Sequence, residues 1–491
     1  MSDVIPTKAP GLERTVMLTP CRRRADHGQH WSSPYAAKRV HLIGIGGCGM
    51  SGLAGVLLRC GAIVSGSDLV WSKTFGRLEE MGATIATGHA PVSVPGDCDL
   101  LVYSAAVKEN NPELVEAKRR GVTCLKYAEM LGRVMGLRTG IAVAGTHGKS
   151  TTTAMLAYIL RQAGTDPTFV IGAEVKQLDG GSGVGDGQHF VVEACEYDRS
   201  FWNYHPHFAA ILNVEEDHLD CFADLTAIIA AFNGFARQVS ADGVIIANGE
   251  DPAVMKAVDG AAAKVETFGL EEGAIWRAVN LSSERGHYSF DLLHQGNLHL
   301  RISIGNLPGH HQVANATAAA ALAHHAGVKP EDVADALSKF TGAERRLSMR
   351  GEIGGIMLLD DYGHHPTEVQ VTLRAIRERY PGRRLWVIFQ PHQHSRTRFL
   401  LDDFAKSFGQ ADRLLVPDIY FVRDSEKERD SISSRHLVER VRAAGGDAIY
   451  LPGQSEIVEC IVVNARAGDV VVTMGAGDVW KISDELVRRL G

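Results

Sequence analysis

"IAVAGTHGKSTTT" (residues 141–153) runs from an apolar stretch through a glycine loop into a hydroxyl-rich segment. Apolar Met155, Leu156, Ile159 and Leu160 follow at helical spacing. The reading is strand, loop, helix. A loop in that setting that ends Gly148-Lys149-Ser150 matches the end of the phosphate-binding pattern G-x-x-x-x-G-K-[ST]. Val143 stands where the pattern has its first glycine, and Gly145 makes a tighter loop. Lys149 supplies a point charge for terminal phosphates, and the Ser150 hydroxyl suits Mg²⁺. The alternative is a plain glycine turn.

Upstream, "KRVHLIGIGGCGMSGLAGVLLRCGAIVSGSD" (38–68) reads as strand, glycine turn, helix and second strand. Gly44, Gly46, Gly47 and Gly49 open the helix, and Asp68 ends the next strand. This is a dinucleotide-type fingerprint, in which glycines let a diphosphate approach the backbone and the helix start attracts its charge. NAD, FAD and a UDP-sugar all carry a diphosphate, so the residues alone leave the ligand open. "CDLLVYSAAV" (98–107) is a later strand entering a loop, "NNPELVEAKRRG" a capped helix, and "GLRTG" (136–140) a linker.

Downstream, "HFVVEAC" (189–195) and "FAAILNV" (208–214) are buried-strand candidates. Glu193 and the "NVEEDHLD" segment (213–220) fall at their carboxyl ends, where open α/β sheets bind ligands. Ser150, Glu193 and His218 could therefore meet at one metal–phosphate site. An acid after a strand is otherwise a solvated loop residue, and a lone histidine a structural one. "GHYSFDLLHQGNLHLRISI" predicts a hairpin with a loop containing Gly296-Asn297, before the helix "QVANATAAAALAHHAG". A third block from about residue 342 alternates strands with helices, and alternation throughout argues for parallel sheets. It carries two histidine pairs after strands, in "DDYGHHPTE" (360–368) and "FQPHQHSRTR" (389–398). Their neighbours Asp361, Arg396 and Arg398 suit a carboxylate or phosphate better than zinc.

The 491 residues, 45% of them hydrophobic, suffice for about three domains. A net charge of −7 gives no bulk attraction to nucleic acid or an acidic membrane. Eight scattered cysteines without a C-x-x-C form no disulfide framework and fit a reducing cytoplasm. No apolar run reaches the roughly 18 residues of a membrane span. Residues 1–37 lack periodicity and read as a mostly disordered extension.

Eight motifs in order, "HLIGIGGCGMSGLA", "GTHGKSTTT", "NVEEDHLD", "PGHHQVANA", "RRLSMRGE", "DDYGHHPTEV", "FQPH..SRT" and "MGAGD", make the chain resemble the Mur ligases, ATP-dependent amide-bond-forming enzymes of peptidoglycan synthesis. The likeness covers about 38–491 and is greatest to the members that add L-alanine. It implies an α/β protein of three domains. These are a Rossmann-like UDP-sugar domain (38–138), a central P-loop ATPase-type domain (139–342) and a C-terminal Rossmann-like amino-acid domain (343–491). The implied substrates are ATP, UDP-N-acetylmuramate and L-alanine, with Mg²⁺, no nucleic acid or membrane partner, and a monomer or weak homodimer.

The resemblance also assigns residues. Gly44, Gly46, Gly47, Gly49, Asp68 and Ser104 would hold the UDP-sugar. Gly145, Thr146, His147, Gly148, Lys149, Ser150, Thr151 and Asn315 would hold ATP, joined by Arg346 and Asp361 from the domain junction. Ser150, Glu193 and His218 would hold metal. His365, His392 and Arg396 would face the amino acid, with His364 as proton acceptor. Lys149, His218, His364, Arg346 and Asp361 form the catalytic set. Cys195, Gln312 and Gln393 depart from the family pattern, and Gln393 bears on the preference for L-alanine over glycine or L-serine. A nicotinamide oxidoreductase built on the first glycine turn is the alternative.

Overall fold

The computed structural model describes residues 33–71 and 73–491. Three sheets organise the described residues. The expected extension over 1–37 lies outside the described residues up to position 32. Its last five residues are a turn instead: Ala36 N–H donates to Ser33 O at 3.2 Å, and Ala37 N–H donates to Gly61 O at 2.8 Å. Tyr35 packs on the first core, so apolar contact fixes a segment whose composition reads as irregular.

The first sheet has five parallel strands. Its central strand Arg39–Ile43 lies between Ile63–Asp68 and Leu100–Tyr103. The chain leaves Arg39–Ile43 toward one side and later returns to the other. That makes a switch point at its carboxyl end, where a crevice opens. Gly44 and Ser104 flank it: a Cβ on Gly44 would lie 3.0 Å from Ser104 Oγ.

The central sheet has ten strands. Thr139–Ala144 sits between Phe208–Ile211 and His189–Ala194, all parallel. Ala144 pairs in register with Ile211 on one side and Ala194 on the other. This register brings Gly145, Leu212 and Cys195 to one rim. The expected 136–140 linker is shorter than its composition suggests, because Thr139 and Gly140 already belong to the strand. An antiparallel hairpin closes the far edge, and it turns at Gln295-Gly296, one residue before the expected pair. Both turn residues have positive φ, 52° and 79°, as a two-residue hairpin matching strand twist requires.

Ser348–Ile353 pairs antiparallel with Ile356–Asp361, the start of the six-stranded third sheet. Asp361 aligns with Met474, which aligns with Phe389. The segments after Asp361 and Phe389 therefore emerge side by side. Each face of the central and third sheets has its own apolar core. The core beneath Cys48–Arg59 continues into the central sheet. A Cβ on Gly52 would come within 2.7 Å of Ser182 Cβ, so the first two domains touch nearly backbone to backbone there.

Candidate active site

The carboxyl ends of the central and third sheets face each other, and the candidate residues line the seam. The glycine loop supplies the central contribution. Gly145 (φ 148°) and Gly148 (φ 80°) both occupy backbone regions that favour glycine. Gly148 caps the helix Lys149–Gln162. A Cβ there would also lie 2.6 Å from Asn315 Oδ1. Two features, φ and crowding, thus demand glycine at the point where the helix N-terminus opens.

Lys149 folds back over the loop. Its Nζ donates to Gly145 O at 2.6 Å and Thr146 O at 3.1 Å, and pairs with Glu196 Oε2 at 2.9 Å. Burial opposes its charge, but the Glu196 carboxylate outweighs this and raises the ammonium above its ordinary range. Sequence reasoning missed Glu196, which lies three residues past Glu193. His218 Nε2 stands 3.7 Å from Glu196 Oε1, and its buried Nδ1 has no hydrogen-bond partner. Glu193 Oε2 accepts the Gly172 N–H at 2.7 Å, which leaves Oε1 for another ligand. Ser150 offers a hydroxyl, Glu193 a carboxylate oxygen and His218 an orphaned imidazole nitrogen, each a donor that a divalent cation accepts.

The third domain reaches across. Arg346 Nη2 donates to the Ser150 hydroxyl at 3.2 Å. Asp361 holds this arginine's segment in place by accepting Leu347 N–H and Gly363 N–H, each at 2.7 Å. Burial raises the Asp361 pKa to about 6 against the pull of Arg346. Arg396 pairs with Asp217 through Nε (2.9 Å) and Nη2 (2.7 Å). Burial opposes the Asp217 charge, and Arg396 holds it well below the usual carboxylate range. His392 Nδ1 lies 3.2 Å from Arg396 Nη1, and its ring is 5.8 Å from that of His364. Burial, then Arg396, lowers His364 to about 4; burial, then His364 and Arg396, lowers His392 to about 3. Both rings are neutral at pH 7. Gln393 is buried at φ 68° with its Nε2 unpartnered, and with Asp217, His218 and Arg396 it lines a small hollow.

His147 gains a physical account here. Its ring lies between Glu215 (3.5 Å) of the central domain and Glu368 (3.3 Å) of the third, 4.6 Å from the His365 ring. Burial opposes its charge, but the two carboxylates raise its pKa to about 9. Glu215, Asp217 and Glu368 escaped sequence reasoning because each sits in an acidic or polar run that reads as solvated. "EEDHLD" beside two histidine-rich segments was the available signal.

Behind His147 a cleft opens between the two domains, lined by Asn315, Gln312, Asn248, Phe268, Arg346 and Asp361 among others. Its mix of apolar and hydrogen-bonding side chains suits a nucleotide. Asn315 Nδ2 donates to Gln312 Oε1 at 3.0 Å, so the departure at Gln312 positions that asparagine.

The first-domain turn is a separate cradle. Asp68 Oδ2 accepts Gly46 N–H at 2.9 Å and Oδ1 accepts Leu69 N–H at 2.7 Å. Asp68 thus ties the turn down with both oxygens, beyond the ligand contact expected of it. Gly49 lies against Tyr127, where a Cβ would be 2.6 Å from the Tyr127 hydroxyl oxygen. Burial, then Glu174 and Glu193, pushes the Cys48 thiol up to about 11, so the turn's helix starts within the field of the central site.

A glycine–lysine–serine loop at a sheet's switch point, faced by the sheet ends of a second domain, defines a multidomain α/β protein of the phosphate-loop class. Family models agree in detail. They match as Mur ligase family, catalytic domain (39–139), Mur ligase middle domain (143–323) and Mur ligase, glutamate ligase domain (345–477). The chain belongs to the Mur ligase family. It is 42% identical to the UDP-N-acetylmuramate–L-alanine ligase of Acetivibrio thermocellus over 93% of this chain and 97% of that protein. The crystal structure of a UDP-N-acetylmuramate–alanine ligase from Thermotoga maritima superposes with TM-score 0.76 at 27% identity, covering 92% of this chain and 98% of that one. A murein peptide ligase from Psychrobacter arcticus gives TM-score 0.69 at 28% identity, covering 92% and 99%.

Proposed function

We propose that the protein joins L-alanine to the lactyl carboxylate of UDP-N-acetylmuramate, driven by ATP, as a cytoplasmic step of peptidoglycan precursor synthesis. The observation that carries the reading is the reach of Arg346 and Arg396 from the third domain to Ser150 and Asp217 of the central one across one seam. The 42% identity to an alanine-adding ligase supports the choice of substrates.

A carboxylate is a poor acyl donor, and phosphoryl transfer from ATP makes it an acyl phosphate. The reacting groups are all anionic, so charge neutralisation is the main catalytic task. Lys149 and Arg346 supply it from opposite domains. Lys149 now rests on Glu196 and two carbonyls, and incoming phosphates would draw it off them. Ser150, Glu193 and His218 would hold Mg²⁺, which when bound neutralises phosphate charge. Gln312 and Asn315 would meet the adenine, and Gly44, Gly47 and Ser104 the UDP diphosphate.

The amine of the amino acid then displaces phosphate. Arg396 would orient its carboxylate, with His392 alongside and Gln393 as an added amide donor, whereas both ring nitrogens of His365, expected at the amino acid, are engaged by Glu216 O and Thr367 N–H. His364 offers a neutral ring: Nδ1 donates to Tyr362 O at 3.1 Å, which leaves the Nε2 lone pair to accept the proton. At a pKa of about 4 it is a weak base, and nearby phosphate charge would strengthen it. Closure of the third domain keeps water from the acyl phosphate.

The nicotinamide oxidoreductase alternative is not supported. It leaves the central loop and the third domain without a task, and the ligase relatives span all three domains. The test incubates pure protein with ATP, Mg²⁺, UDP-N-acetylmuramate and single amino acids, following phosphate release and product mass. L-Alanine-dependent phosphate with the mass of the amide is expected. Equal activity with glycine or L-serine would overturn the alanine assignment, and no phosphate with any amino acid would overturn the ligase reading.

A further inference from the structure

His147, Glu215 and His365 each offer one potential ligand atom, and these atoms all lie within 4.8 Å of one another. His147 and Glu215 come from the central domain and His365 from the third. We propose that these three residues form a transition-metal site of the zinc type, distinct from the Ser150, Glu193 and His218 set, that fastens the third domain to the central one.

The spacing is close to what such an ion needs. His147 Nε2 lies 3.5 Å from Glu215 Oε2, and His365 Nδ1 lies 3.8 Å from a Glu215 oxygen. Tetrahedral ligands about 2.0–2.2 Å from zinc stand about 3.4 Å apart, so contraction by a few tenths of an ångström completes the two edges through Glu215.

The surroundings of the three residues strengthen the case. Metal-bound histidines hand their other ring nitrogen to a carboxylate or a backbone carbonyl, which fixes tautomer and ring orientation. Both partners are present. His147 Nδ1 faces Glu368 Oε1 at 3.3 Å, while its buried Nε2 makes no hydrogen bond. His365 Nε2 donates to Glu216 O at 3.0 Å. His365 Nδ1 accepts only a long bond, 3.3 Å, from Thr367 N–H, so this nitrogen carries a lone pair. The Thr367 hydroxyl donates to Glu215 Oε2 at 2.6 Å and orients the carboxylate. Two imidazoles among three ligands suit zinc or cobalt(II), whereas Mg²⁺ favours sets dominated by oxygen. Both His147 and Glu215 line the interdomain cleft, which leaves the fourth position to water.

The ions tested are cobalt(II) and zinc alone, without nucleotide. Full-length protein is freed of metal with a chelator and titrated with cobalt(II). The visible bands of a four-coordinate cobalt ion are expected at one equivalent. Glu215→Gln should weaken binding at least tenfold, and His218→Ala should leave it unchanged. Bands that vanish in His218→Ala, or a cobalt affinity in Glu215→Gln equal to that of the unaltered chain, would overturn the proposal. Zinc-soaked crystals of the unaltered chain give an answer independent of variant folding. Anomalous density between His147 Nε2 and Glu215 is expected, and its absence there would overturn the site. Ligase turnover plays no part in either readout.

Discussion

Arg346 of the third domain donates to the hydroxyl of Ser150 in the central loop at 3.2 Å. The same guanidinium stands 3.8 Å from Glu368 and 5.0 Å from the Tyr362 ring. Its position is therefore set from three directions before any phosphate arrives. Arg346→Ala should lower kcat for phosphate release by about 10²-fold or more, the usual cost of losing one preorganised donor to a transferring group. Arg346→Lys should recover little, since an ammonium lacks the rigid planar fork of the guanidinium that bonds a phosphate bidentately. Steady-state kinetics at saturating ATP checks this, and turnover within about threefold of normal in Arg346→Ala would remove the arginine from the mechanism.

Lys149→Ala should lower kcat by orders of magnitude while UDP-sugar binding persists, because the first-domain cradle is separate. The substitution also leaves Glu196 charged and buried without its partner, a change that costs about 3–5 kcal/mol in comparable pairs. Lys149→Ala with Glu196→Gln should recover that stability and none of the turnover. Calorimetric binding of the UDP-sugar, unfolding midpoints and phosphate release separate the two effects. Near-normal turnover in Lys149→Ala would sink the phosphate assignment.

Gly148→Ala tests the loop itself. A side chain at φ 80° costs about 1–2 kcal/mol, and its Cβ would meet Asn315 Oδ1 at 2.6 Å. The loop and the asparagine that lines the cleft must both shift. ATP affinity should fall at least tenfold by calorimetry with a non-hydrolysable analogue, with UDP-sugar affinity unchanged. Unaltered ATP binding would mean that the loop is not the cradle.

Much of this architecture is legible in the sequence because it is local. Strand, glycine loop and helix follow one another within about twenty residues, and period and glycine placement declare them. The glycine at 148 and the cap at Asn111, whose side chain accepts from Glu113 and Leu114 N–H, belong to this class. The acids of the seam are not local. Glu196 meets Lys149 only because Thr139–Ala144 and His189–Ala194 are sheet neighbours, and Asp217 meets Arg396 across 179 positions. No spacing rule reports such pairs. Asp68 shows the converse: the residue is conspicuous, yet only the structure reveals that both its oxygens tie down the turn.

Glu266 offers a pH test away from the seam, near the end of the helix His311–His325 opposite Asn315. Its buried carboxylate accepts from Trp276 Nε1 (2.7 Å) and His325 Nε2 (2.9 Å) and pairs with Lys264 Nζ (2.8 Å). Burial raises its pKa, but the bonds from His325, Lys264 and Trp276 lower it further, to well below the ordinary 4.5. A depressed carboxylate pKa stabilises the fold above the unfolded value, and the gain disappears as pH falls toward the folded value. Glu266→Gln should therefore lower stability by about 1–3 kcal/mol near neutral pH. The deficit should shrink progressively below about pH 4.5, as the unaltered chain loses the same charge. Denaturant midpoints of both proteins at about pH 7 and about pH 3.5 give the comparison. An equal deficit at both would show that Glu266 acts through shape and hydrogen bonding rather than through its charge.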